Sequence, residues 1–173
     1  PTQPGDFDGE PLSAYNAAPD ALLINFKSVL LTVTPDPAQG VAHLQWDPPL
    51  AGVQMPRTVT LSNGDCGDYR AALKADFTDP LRFRVLGSYA AACKEKTWPF
   101  AYADPANYAP RAVQGLWQSM GGQLQGSVRL GALPAQASSW QPALVARSAS
   151  LAEIVRDINK YSNNVMAQQL FLT

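Results

Sequence analysis

Polar and apolar positions change period along the chain, and each change marks an element. Residues 1–20 are rich in Pro, Gly and Asp and read as an extended loop. Residues 28–34 are β-branched and aliphatic, which predicts a buried strand. The Pro- and Gly-containing segment 35–40 supplies a turn. Beyond it Ala42, Leu44 and Trp46 alternate with Val41, His43 and Gln45, the pattern of a half-buried strand paired back on the first. Residues 48–52 break the pattern, 57–61 form a short strand and 62–65 a turn. Alternation returns over 81–87, with Leu81, Phe83 and Val85 on one face and Arg82 and Arg84 on the other. Residues 100–104 continue the strand-rich portion.

After Asp104-Pro105 the period lengthens. Tyr108, Ala112, Leu116 and Met120 recur at four-residue steps until Gly121-Gly122 stops the predicted helix. Leu124, Gly126, Val128 and Leu130 then fall on one face of an expected strand over 123–131. Residues 134–142 read as a Ser/Ala/Pro linker, and 143–146 as a short strand. In the C-terminal stretch Leu151, Ile154, Val155 and Ile158 fall at i, i+3, i+4 and i+7, one apolar stripe at helical period. Ser148 or Ser150 can cap this helix, and Glu153 completes a capping box with Ser150. A polar stretch over 159–164 follows. Asn163 or Asn164 can cap a second helix that contains Val165, Met166, Leu170 and Phe171. Ser162, Asn163 and Asn164 are therefore expected at a junction between two buried helices, with little freedom for their side chains. Strand pairs, one helix, a strand and then helices imply an α+β organisation.

Composition narrows the function. Hydrophobic residues at 46% against 16% charged place the chain among globular proteins. A net charge of −1 without a Lys/Arg cluster argues against a nucleic-acid partner. No apolar run is long enough for a transmembrane segment. Asp6, Asp8 and Glu10 gather three carboxylates, but their spacing does not fit a calcium loop, and a solvated turn is the better reading. His43 is the single histidine, which excludes a multi-histidine metal centre. A Ser-His-Asp triad would need His43, and there is no Gly-x-Ser-x-Gly elbow. No Walker A or dinucleotide-binding glycine pattern occurs. No metal and no cofactor is expected. Cys66 and Cys93 allow one bridge, and two free thiols are equally compatible with their number.

Ser162-Asn163-Asn164, set between two helices, resembles Ser-x-Asn, the second motif of the penicillin-recognising serine enzymes. Tyr161-Ser162-Asn163 also reads as Tyr-x-Asn, the variant of some relatives. The Ser162 register is preferred because it places Asn164 directly before the second helix. The upstream wording agrees: Asn16-Ala-x-Pro19-Asp-Ala-Leu-Leu-x-Asn25-Phe-x-Ser28-Val, then Cys66-Gly-Asp-Tyr-Arg70, then Gly87 to Cys93, then Trp98-Pro-Phe-Ala-Tyr102. Together they are similar to the class C low-molecular-mass penicillin-binding proteins, the D-alanyl-D-alanine carboxypeptidase/endopeptidase family. The resemblance implies an accessory, β-rich insertion over 1–142 with one helix near 106–120. It implies that 143–173 re-enters a penicillin-binding (β-lactamase/transpeptidase-like) domain.

By the same resemblance, Ser162 relays protons and Asn164 binds the substrate amide. Cys66 and Cys93 pair in an oxidising periplasm, a bridge worth roughly 3–4 kcal/mol on the chain-entropy model. The implied partners are peptidoglycan peptides and β-lactam inhibitors. Two motifs of such an enzyme are missing. No serine is followed by Lys at the third place, and Lys96-Thr97-Trp98 puts Trp where Lys-Thr-Gly needs glycine. The chain also stops within an apolar helical run and starts without signal-peptide character. It is therefore expected to be an internal fragment, inactive alone, whose parent carries the signal and the missing motifs. The alternative is a non-catalytic module that binds cell-wall peptides or partners with a degenerate site.

Overall fold

The computed structural model describes residues 8–132, 134–141 and 144–172. Asp6 of the acidic run, and Pro142 and Ala143 at the expected domain boundary, lie outside the described residues. The fold is α+β. Strands β1 (Ser28–Asp36) and β2 (Val41–Asp47) form an antiparallel hairpin. Strand β3 (Thr58–Ser62) extends it beyond β2, and β6 (Ser88–Ala90) pairs in parallel with β3. Strand β7 (Lys96–Ala101) closes the other side of β1, giving the order β6-β3-β2-β1-β7. A short helix α1 (Tyr69–Leu73) precedes a two-stranded ribbon of β4 (Ala75–Asp76) and β5 (Arg84–Val85).

Alternation decides which face is buried. Val29, Leu31 and Val33 are inaccessible to solvent, and the register sets Val29 opposite Phe100, Leu31 opposite Trp46 and Trp98, and Val33 opposite Leu44. Phe77 and Phe83, carried by the ribbon and its loop, close this face. Phe77 stacks on Phe100 with ring centroids 3.8 Å apart, and Trp46 meets Phe77, Phe83 and Phe100 edge-on or tilted. Each such pair adds about 0.5–1.5 kcal/mol to the burial itself. Cys66 and Cys93 are joined by a disulfide of 2.05 Å, which fastens the start of α1 to the end of β6.

Helix α2 (Pro105–Ser119) is entered through Asp104, whose carboxylate accepts from the Asn107 backbone N–H, with proline at the first helical position. Tyr108 and Ala112 are buried, whereas the stripe runs out at Met120, which is 74% exposed. Gly115 lies against the backbone of Pro49: a Cβ there would stand 2.0 Å from the Pro49 carbonyl oxygen. Helices α3 (Leu151–Tyr161) and α4 (Asn164–Leu172) end the chain. Among the described residues no helix is long and apolar enough to cross a membrane.

Three sequence expectations are corrected. Residues 123–131 form no strand: the alternating apolar side chains are mostly exposed, no strand lies beside them, and Gly126 at φ +104° turns the chain. Residues 144–146 likewise form no strand. The C-terminal helices are not buried within this chain. No residue of α3 is buried, Leu151 being 61% exposed, and α4 buries Val165 alone. Apart from Val165 and the half-buried Ile154, Ile158 and Met166, their apolar side chains are exposed.

Candidate functional site

The junction between α3 and α4 is built from local hydrogen bonds. Ser150 opens α3 with a capping box: its hydroxyl accepts from the Glu153 N–H, and the Glu153 carboxylate accepts from the Ser150 N–H at 2.9 Å. Helix α3 stops because Ser162 turns into the left-handed region, at φ 50° and ψ 45°. The N–H groups of Ser162 and Asn163 both return to the Ile158 carbonyl, satisfying the end of the helix. Asn163 then caps α4, its side-chain oxygen accepting from the Met166 N–H at 3.0 Å. Asn164 is thus the first residue of α4, not its cap, and Val165 anchors the turn at 2% exposure.

A left-handed serine is costly, of order 1–3 kcal/mol where the surroundings enforce it. Here the backbone reversal leaves Ser162 and Asn164 at the surface while Asn163 and Val165 are tied down. Both exposed side chains line a cleft of about 300 Å³. The rest of the lining comes from far earlier in the chain: Tyr15, Asn25 and Phe26, with Ser28, Leu30 and Pro99 from β1 and β7. Residues that sequence reasoning treats as an approach to β1 therefore face the Ser-x-Asn turn.

That wall is also conformationally special. Asn25, Phe26 and Lys27 are three consecutive non-glycine residues at positive φ, 42°, 52° and 52°. Only Asn adopts this region readily. The turn is held from several sides. The Asn25 amide donates to the Ser28 carbonyl at 3.0 Å, and the buried Tyr108 hydroxyl donates to the same oxygen at 2.7 Å. Burial pushes the Tyr108 hydroxyl well above the ordinary tyrosine range, so it stays a donor. The Lys27 ammonium is buried, its side chain 7% exposed, and meets the Asp20 carboxylate at 2.7 Å. Burial raises the affinity of Asp20 for a proton, but the hydrogen bonds from Lys27 and from the Leu22 N–H outweigh it and hold the carboxyl below its ordinary value. The Asp20 N–H donates to the Gln169 side chain at 3.0 Å, which ties α4 to the strained turn.

Chemically the cleft is uncharged, with the polar groups of Asn25, Ser28 and Ser162 to Asn164 set among apolar side chains. Among the described residues lining it there is no carboxylate, lysine, arginine or histidine. Ser162 has a hydroxyl that can pass a proton, and Asn164 an amide that can both donate and accept. Neither has a base within the cleft that could turn Ser162 into a nucleophile. Asn25 and Phe26 were missed from sequence because nothing local marks them as lining a site. The available signal was their place in the stretch from Asn16 to Val29 that carries the family resemblance.

The sequence profile of the D-Ala-D-Ala carboxypeptidase 3 (S13) family matches residues 3–173. No curated protein gives a significant match. Among solved structures the chain is similar to penicillin binding protein 4 (dacB) from Haemophilus influenzae, with a TM-score of 0.55 and 21% identity. The match covers 92% of this chain and 34% of that one, so the chain spans about a third of the solved relative. At this identity the likeness speaks for the fold, while the profile, matching almost end to end, speaks for descent: the chain belongs to the D-Ala-D-Ala carboxypeptidase 3 (S13) family.

Proposed function

We propose that this chain is the accessory region and Ser-x-Asn segment of a periplasmic serine-type D-alanyl-D-alanine carboxypeptidase/endopeptidase acting on peptidoglycan stem peptides. In this reading residues 1–142 are the inserted region and 143–173 belong to the penicillin-binding domain. A Ser-x-x-Lys helix and a Lys-Thr-Gly strand come from other segments of the parent. The lysine-activated serine attacks the D-Ala-D-Ala carbonyl and terminal D-Ala leaves with a proton. Water then hydrolyses the acyl-enzyme. Ser162 passes the proton between the lysine network and the leaving amine, and Asn164 hydrogen-bonds the substrate amide. β-Lactams acylate the same serine. The Cys66–Cys93 disulfide is compatible with an oxidising compartment.

The observation that carries this reading is the neutral cleft that Ser162 and Asn164 both line from one hydrogen-bonded turn, in a chain of this family. The test is D-Ala release, followed by mass spectrometry, from an acetylated D-Ala-D-Ala peptide by the full-length parent. Ser162→Ala is expected to lower kcat/KM by about 10²–10⁴, and Asn164→Ala by about 10²–10³. Full activity in both variants would refute the assignment.

A further inference from the structure

The turn after β3 contributes nothing to the Ser162 cleft. Strand β3 ends at Ser62, and Asn63, Gly64 and Asp65 follow it outside any helix or strand, all three exposed. The ends of this segment are fixed: Ser62 pairs with Ala90 of β6, and Cys66 is bonded to Cys93. Between these anchors Gly64 takes φ +110°, and a Cβ built on it would meet nothing within 4 Å. Among the described residues neither the Asn63 side chain nor the Gly64 N–H has a hydrogen-bond partner.

That combination exposes a reactive pair. The backbone nitrogen one residue beyond an asparagine can attack the side-chain carbonyl carbon and close a five-membered ring, one reason asparagine is thermolabile. A side chain on the next residue crowds the approach, and glycine has none. Every asparagine of the chain other than Asn63 precedes a residue with a side chain. Hydrogen bonds also hold other amides still. That of Asn16 donates to the Asp8 carboxylate at 2.8 Å and to the Glu10 carbonyl at 3.0 Å, and that of Asn107 donates to Asp104 at 2.7 Å. Asp8, which precedes Gly9, is protected in another way. Its carboxylate accepts from the Glu10 N–H and the Tyr15 hydroxyl, which hold it below the ordinary carboxylate range, whereas ring closure must expel water from the neutral acid.

We infer that Asn63–Gly64 is a self-modification site, at which the folded chain converts its own asparagine to aspartate and isoaspartate through a cyclic imide. The Gly64 nitrogen gives up its proton and bonds to the Asn63 Cγ, and the side-chain nitrogen takes up a proton and leaves as ammonia. Water then adds to one of the two imide carbonyls and breaks its bond to the ring nitrogen. Opening at Cγ restores the original main chain with aspartate at position 63. Opening at the backbone carbonyl leaves isoaspartate, with the main chain running through Cβ and one carbon longer. Either product makes the chain one unit more negative than its present −1 and sets a third carboxylate beside those of Asp65 and Asp68. The β3–β6 pairing and the disulfide bracket the segment, so the change stays within the turn.

The test uses the oxidised, folded 173-residue chain at mildly alkaline pH. Peptide mapping by mass spectrometry follows conversion at position 63, and the blocked peptide Leu-Ser-Asn-Gly-Asp gives the unprotected rate. The folded chain is expected to convert within about fivefold of that rate, because an exposed segment without hydrogen bonds opens at almost no cost. Asp8 and the other asparagines should lag by about tenfold or more. Hydroxylamine intercepts the imide and should split the chain after Asn63 into two fragments; the Cys66–Cys93 bridge lies wholly in the second and does not hold them together under denaturing conditions. Gly64→Ala should slow conversion by about tenfold. Asn63→Gln, which would need a six-membered ring, should give no fragments. Protection of Asn63 by more than about fivefold relative to the peptide, comparable conversion at Asp8 or another asparagine, an undiminished rate in Gly64→Ala, or a hydroxylamine pattern shared with Asn63→Gln would overturn the assignment.

Discussion

The Asp20–Lys27 pair offers an asymmetric test of how the cleft wall is held. The two partners are not equally buried: the Lys27 side chain is 7% exposed and that of Asp20 is 21% exposed. Removing the anion leaves a buried ammonium with nothing to compensate it, whereas removing the cation leaves a carboxylate that water can reach. Breaking a buried pair from the costly side is worth about 3 kcal/mol, so Asp20→Asn should lose roughly that amount. Lys27→Met keeps the packed stem and should lose about 1 kcal/mol. For a chain of this size the former corresponds to a fall in Tm of roughly 6–12 °C. Urea unfolding at neutral pH measures both.

The pH dependence carries a sign. The folded Asp20 carboxyl is held below its ordinary value of 3.8, so its contribution is complete above that value and is lost as pH falls through the lower, folded one. The wild-type stability curve should therefore drop more steeply than that of Asp20→Asn below about pH 4. Because the Asp20 N–H also holds Gln169, amide exchange at Asn163 and Val165 should accelerate in the same variant. Asp20→Asn costing no more than Lys27→Met, with parallel pH curves, would refute the reasoning.

Other perturbations follow from single contacts. Gly115→Ala drives a Cβ into the Pro49 carbonyl and should destabilise by several kcal/mol, on the order of 3, by denaturant titration; Gly131→Ala, with open space around it and no left-handed backbone, provides the contrast. Reducing the disulfide, or Cys66→Ser, should cost roughly 3–4 kcal/mol, read as a shift in urea midpoint between oxidised and reduced protein. Ser162→Gly relieves a left-handed serine and should raise stability by up to about 1 kcal/mol, while the parent enzyme loses activity. A destabilised Ser162→Gly would mean that the turn is not strained.

Much of the frame was legible because it is set by nearest neighbours in sequence. The hairpin of β1 and β2 shows in β-branched runs, strict alternation and a proline-glycine turn. The α2 helix shows in Asp104-Pro105 and its four-residue recurrence, and α3 in its capping box. Residues 123–131 misled because their alternation is sufficient for a strand face but supplies no partner, and a strand exists only when paired. Helix α1 went unseen because five residues are too few for periodicity to show; the Asp68 side chain nucleates it by accepting from the Arg70 and Ala71 N–H groups. The Ser162–Asn164 turn was legible as a motif between helices. Its opposing wall was not, since Asn25 and Phe26 reach it only through the buried Lys27–Asp20 pair and the Gln169 bond across the chain. The exposed stripes of α3 and α4 were read as buried because periodicity shows that a face is apolar, not what covers it.

The most direct measurement for the account is covalent labelling by a fluorescent penicillin, read by intact mass on this chain and on the full-length parent. The account predicts no adduct on the 173-residue chain, whose cleft holds Ser162 without a base, and one adduct on the parent at the serine of a Ser-x-x-Lys sequence. An adduct on the isolated chain, or none on a parent that folds, would contradict it.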